Sequence, residues 1–130
     1  MNVRDYPHQA QLLKDFDPNK LTQEVIAIGE AWADQDAAAS SLEETRKTLL
    51  AQLQIEYTLE GINGKPMPVS QAEMRALADV RYEQHLDLMV QARKESNRHR
   101  VRYDMGRMRL ELFRSLQATM RQEMQMTNNR

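Results

Sequence analysis

The chain has no cysteine in its 130 residues, which excludes disulfides, thiolate catalysis and cysteine-ligated zinc. Aromatic residues make up only 5%, so the material for a thick globular core is scarce. No apolar run approaches the roughly 20 residues of a membrane-spanning helix. The start, Met1-Asn-Val-Arg-Asp-Tyr-Pro7, carries no apolar stretch of the kind that directs secretion. A cytoplasmic protein without membrane contact is therefore expected. Glycine and proline number four each, and four of those eight lie between Gly61 and Pro68. Long uninterrupted tracts of good helix formers remain on either side.

Those tracts predict an all-α fold: a long antiparallel helical hairpin or coiled coil behind a short N-terminal arm. The arm covers residues 1–18. Within it, residues 9–16 are expected to make two turns, with Leu12, Leu13 and Phe16 on the sticky face. Asp17-Pro18 reads as a helix start, with Asp as N-cap and Pro at the first helical position. A helix over 19–60 follows. Its seam, Leu21, Val25, Ile28, Trp32, Gln35, Ala39, Leu42, Arg46, Leu49 and Leu53, alternates steps of four and three, as packed helices require. Gln35 and Arg46 interrupt it, and Gly29 is a mild weak point. Ala37-Ala38-Ala39 thins the helix for a close partner.

Gly61 is a good helix stop, Asn63-Gly64 a strong turn pair, and Pro66 and Pro68 forbid helix before them. The turn is expected over 61–69. Ser70-Gln-Ala-Glu73 has the form of a capping box, so a second helix is expected from 70 to 126, with Gly106 its one weak point and 127–130 frayed. At 1.5 Å per residue the two helices are roughly 60 and 80 Å long, so the second overhangs the first. Its apolar pattern forms two blocks. Met74, Leu77 or Ala78, Tyr82, His85, Leu88 or Met89, and Ala92 make the first; Val101, Met105, Met108, Leu112, Leu116 and Met120 make the other. Between them Arg93–Arg100 has no apolar residue, and a kink, a shift of seam or a wet stretch is expected there.

The net charge of −1 conceals an asymmetry. Residues 1–64 hold 11 acids and 5 bases, a net of −6, whereas residues 65–130 hold 8 acids and 13 bases, a net of +5. Eight bases cluster in the second helix: Arg93, Lys94, Arg98, Arg100, Arg102, Arg107, Arg109 and Arg114. They are the candidate residues for binding a protein partner or nucleic acid. Either they flank the seam and pair with the acidic first helix, or they offer a surface to phosphates or an acidic partner. The basic run is expected in the overhang.

No catalytic, metal or cofactor site is expected. Of His8, His85 and His99, none follows a Glu by three residues, as a di-iron bundle requires. Glu95 and His99 have the spacing of a local helix pair. Gly61–Gly64 lacks the Lys-Ser continuation of a phosphate loop. Asn97-Arg98 resembles a basic-zipper reading helix, but Arg100 and Val101 occupy its small positions and Met105 its further arginine, which excludes that family. Five of the nine methionines fall between Met105 and Met126; they serve as core filler or as an adaptable contact face. Trp32 is expected to anchor the seam.

The stretch Tyr82-Glu-Gln-His-Leu, with Ala92-Arg-Lys-Glu-Ser-Asn-Arg-His-Arg-Val-Arg-Tyr-Asp104 and Leu110-Glu-Leu-Phe-Arg-Ser115, resembles small coiled-coil proteins of bacteriophage and prophage early regions. The resemblance covers residues 40–125. It implies a bacterial cytoplasmic setting and an accessory role near DNA recombination or replication; it transfers no site. Three functions are then open. One is a self-associating interaction protein that acts as an adaptor. Another is a nucleic-acid accessory protein acting through residues 93–114. The last is an inhibitor of a host defence nucleoprotein complex, in which the acidic face of residues 24–60 mimics phosphates.

Overall fold

The computed structural model describes residues 17–128, so the two turns expected over 9–16 lie outside them, while the tip expected to fray from 127 is helical as far as Asn128. The described residues form an all-α hairpin of three helices: α1 (Pro18–Glu60), α2 (Val69–Leu77) and α3 (Val80–Asn128). Residues 32–98 make one compact unit; residues 17–31 and 99–128 are the described part of another. Asp17 starts α1 as its sequence predicts: Oδ1 accepts from the backbone N–H of Asn19 at 3.0 Å and of Lys20 at 3.2 Å, with Pro18 inside the first turn.

In the unit of residues 32–98, α1 ends where Gly61 takes φ +68°. A Cβ there would run into the carbonyl oxygen of Lys65, so only glycine fits. Asn63 (φ 53°) and Gly64 (φ 76°) form the tip. Ile62 and Lys65 exchange two backbone hydrogen bonds across it, at 2.8 and 3.1 Å. This is the two-residue turn that Asn-Gly favours. Met67, 2% exposed, closes the end of the hairpin by donating its N–H to the Thr58 carbonyl at 3.3 Å.

The returning helix is not continuous. α2 stops at Leu77 and α3 starts at Val80. The reason is Asp79: its Oδ1 accepts from the backbone N–H of Arg81 at 2.7 Å, which caps a fresh helix instead of continuing the old one. The capping box is also absent. α2 begins at Val69 with Pro68 as its cap and no side-chain cap bond. The Pro68 carbonyl already takes the N–H of Gln71 and of Ala72 at 3.1 and 3.0 Å, so Ser70 lies inside the first turn. Leu53, Ala76 and Tyr82 are the buried core, with Leu49, Leu50, Tyr57 and Leu86 against them. α1 and α3 run antiparallel: Glu56 meets Arg81 and Asp36 meets Arg93.

In the other unit the two helices are again antiparallel, and two glycines set how closely they approach. A Cβ on Gly29 would stand 3.0 Å from Cε2 of Tyr103; one on Gly106 would stand 2.8 Å from Cγ2 of Val25. Each helix offers a glycine hollow to a large side chain of the other. These glycines are seam contacts, and α3 passes through Gly106 unbroken.

All ten seam positions expected of α1 are buried or half-buried, Gln35 and Arg46 included. The seam of α3 follows the expected first block and departs from the second over residues 101–112. It runs Tyr82, His85, Met89, Ala92 and Ser96 in one unit, then His99, Tyr103, Gly106, Leu110 and Phe113 in the other, all buried or half-buried. Steps of three and four in the buried positions persist through Arg93–Arg100, and the helix is not interrupted there. Ser96 and His99 carry the seam there. Met74, Leu77, Leu88, Val101, Met105, Met108 and Leu112 face away from it.

Gly106→Leu is expected to destabilise the fold by about 1–3 kcal/mol through overpacking against Val25, against a gain of roughly 1 kcal/mol from removing a helical glycine. Urea denaturation measures it, and an unchanged or higher stability would contradict the close approach.

Candidate interaction surface

The eight expected site bases do not form one surface. In the unit of residues 32–98, Arg93 is fully engaged. Its Nε and Nη2 donate to the two carboxylate oxygens of Glu43 at 3.0 and 3.1 Å, and Nη1 to Asp36 Oδ1 at 2.6 Å. This forked geometry favours the charged guanidinium and holds its pKa well above the usual range, first through Glu43 and then Asp36. The buried Ser96 donates to the same Asp36 oxygen at 3.4 Å. Arg98 pairs with Glu95 one turn back, at 3.0 Å. Lys94 is exposed. Arg93 is therefore part of the hairpin's own lock. The acidic face expected over 24–60 is partly used up by the same pairs, with Asp36 and Glu43 on Arg93 and Glu56 on Arg81.

In the other unit Arg100, Arg102, Arg107, Arg109 and Arg114 are all exposed, and no ion pair among the described residues involves them. Arg107 lies over the Tyr103 ring, 5.9 Å from its centroid. At 100° per residue the five fall into two rows. Arg100, Arg107 and Arg114 line one edge of the seam; Arg102 and Arg109 line the other. The basic run is thus not in an overhang. Tyr103 sits at the level of Gly29 and Gly106 at that of Val25, so α3 outruns the start of α1 only beyond about residue 113.

Directly opposite the seam, between the edges, lies an apolar line: Val101, Met105, Met108 and Leu112, which are 52%, 59%, 66% and 59% exposed. Their spacing of four, three and four makes a second heptad stripe on a helix that already has one. Sequence patterning found these residues but assigned them to the core.

A cluster around Asp79 was not foreseen. Asp79 is buried and ionised, with Tyr57 Oη donating to its Oδ2 at 2.6 Å and the Arg81 guanidinium donating to both oxygens at 3.1 Å. Arg81 extends to Glu56 at 2.7 Å. These donors, Arg81 before Tyr57, hold the Asp79 carboxyl far below the usual carboxylate range, while the hydrogen bond to Asp79 pushes the Tyr57 phenol up. The only sequence signal was an Asp, a good N-cap residue, inside an otherwise helical tract. The cluster joins α1 to the break between α2 and α3, and its chemistry is structural.

No protein-family model matches the chain, and no curated protein or solved structure is significantly similar to it. The surfaces must be read on their own chemistry.

The Asp79 cluster has a pH signature. A depressed carboxyl pKa stabilises the fold above the ordinary value of about 4, and that stability is lost as pH falls through and below it. A raised phenol pKa stabilises below about 10 and is lost above. Asp79→Asn is expected to lower Tm at neutral pH. The gap from the wild type should hold down to about pH 4 and narrow progressively as the pH is taken lower. A gap independent of pH, followed by circular dichroism, would contradict the ionised cluster.

Proposed function

We propose that the chain is a non-enzymatic helical interaction protein, an oligomeric adaptor or accessory factor, whose working surface is the outer face of α3 over residues 101–112. The observation that carries this reading is the exposed stripe of Val101, Met105, Met108 and Leu112. Single exposed apolar side chains need no explanation. Four in heptad register on a helix already packed on its other side are the pattern of a partner-binding face. Two methionines at its centre suit contacts that must adapt. A phage or bacterial cytoplasmic setting near DNA metabolism is supported by the sequence resemblance alone. No helix among the described residues is long and apolar enough to cross a membrane.

A second reading, nucleic-acid binding, is favoured by Arg100, Arg102, Arg107, Arg109 and Arg114 lacking acid partners among the described residues. Arg93 and Arg98 are already paired and would contribute little. Acidic mimicry by α1 is less well supported, because three of its carboxylates serve the hairpin.

The test is affinity capture from nuclease-treated extract of the native host, with wild type and Met105→Glu/Met108→Glu side by side. Partners retained by the wild type and lost by the variant are expected. An identical captured set would refute the stripe as a working surface. Fluorescence anisotropy with duplex DNA decides the second reading. Binding that weakens steeply with salt, and is lost on replacing Arg100, Arg107 and Arg114 with Ala, would put the function on the phosphate side.

A further inference from the structure

We infer that the occupant of this stripe is a second copy of the chain, laid parallel to the first along residues 101–112. The inference rests on the stripe being a working surface and adds which partner fits it. In heptad terms Met105 and Leu112 take the a positions and Val101 and Met108 the d positions. The flanks follow from the spacing. Asp104 and Glu111 stand at g, on one edge; Arg102 and Arg109 stand at e, on the other. Each edge thus carries one sign of charge, acid on the first and base on the second. All four side chains are exposed, and none has an ion pair among the described residues.

This layout is complementary to itself in one orientation only. In a parallel pair each g residue approaches the e residue of the next heptad on the facing helix. Asp104 then meets the partner's Arg109, and the two-fold axis makes that contact twice. In an antiparallel pair g faces g and e faces e. Asp104 would meet the partner's Glu111, and Arg102 the partner's Arg109, so both edges would repel. A phosphate backbone is a poorer occupant, since the line is apolar and two carboxylates border it.

The stripe is short, about 18 Å at 1.5 Å per residue. In the same register Lys94 and Arg98 precede it and Ser115 and Thr119 follow it, so the apolar contact is confined to two heptads. Free coiled coils need three to four, in large part because pairing must also order the helices. Here α3 is already held as a helix by its seam with α1, and that nucleation cost does not recur. A weak, concentration-dependent dimer is the expected result.

Sedimentation velocity of the full chain over a wide concentration range tests this. The wild type should pass from monomer to dimer. Met108→Glu should stay monomeric with unchanged helicity and Tm, since its side chain lies off the folding seam. Asp104→Arg should weaken the dimer by about 3- to 10-fold, and adding Arg109→Asp should restore it. The chain lacks cysteine, so Met108→Cys gives an orientation readout: a parallel pair sets the two thiols face to face, and oxidation should link them. A monomer at every concentration overturns the inference, as does a dimer untouched by Met108→Glu. Tightening by Asp104→Arg would mean antiparallel pairing and overturn it too. A monomeric chain whose captured partners still depend on Met105 and Met108 would remove the second copy and leave the interaction reading standing.

Discussion

Two helices can lie only as close as the side chains between them permit, and in this protein small residues set that distance. Ala39 and Ala76 are fully buried and Ser96 nearly so. Gly29 and Gly106 take the faces of Tyr103 and Val25. A seam this thin buries little apolar area per turn, so at about 25 cal/mol per Å² it gains little from burial alone. Close backbone approach supplies dispersion contacts in its place, and polar groups at the margin are drawn into direct pairs.

The charge distribution follows from this. With the backbones close, residues bordering the seam reach across it, and Arg93 spans Asp36 and Glu43 while Arg81 reaches Glu56. In the unit of residues 17–31 and 99–128 no ion pair among the described residues crosses to the arginines of α3, and they stay in solvent. The apolar residues that small seam positions leave unused are pushed to the outside of α3. The outer stripe is thus the other side of the same economy: where the folding face passes through Ser96, His99, Tyr103 and Gly106, Val101, Met105 and Met108 are left for something else.

The same fact explains what the sequence made legible. α1 was readable position by position because its seam is largely aliphatic and its start is an Asp-Pro pair. The Asn63-Gly64 turn was readable because that pair has one dominant backbone solution. The first block of α3 was readable in the same way, with Tyr82, His85, Met89 and Ala92 all on the seam; Val101, Met105, Met108 and Leu112 were misread because hydrophobicity was taken as the mark of the buried face, and there the apolar line lies opposite the seam. The capping box failed because Pro68 had already supplied the helix start. The break at Asp79 left only a faint trace, an Asp that can cap a helix, because one of the bonds that hold its carboxylate comes from Tyr57 across the hairpin, 22 positions away in sequence. Of the eight candidate bases, the pattern could not separate Arg93, which locks the fold, from Arg102 and Arg109, which border the outer stripe.

The central claim is that the folding face of α3 continues through Ser96, His99 and Gly106 between its aromatic and aliphatic seam residues, and not through the line of Val101, Met105, Met108 and Leu112. The most direct test is the thermal stability of Ser96→Arg set against Met105→Arg, followed by circular dichroism at a dilution where the chain is monomeric. An arginine at the buried Ser96 should lower Tm steeply or unfold the chain, while the same residue at Met105 should leave Tm nearly unchanged. The reverse order would contradict the account.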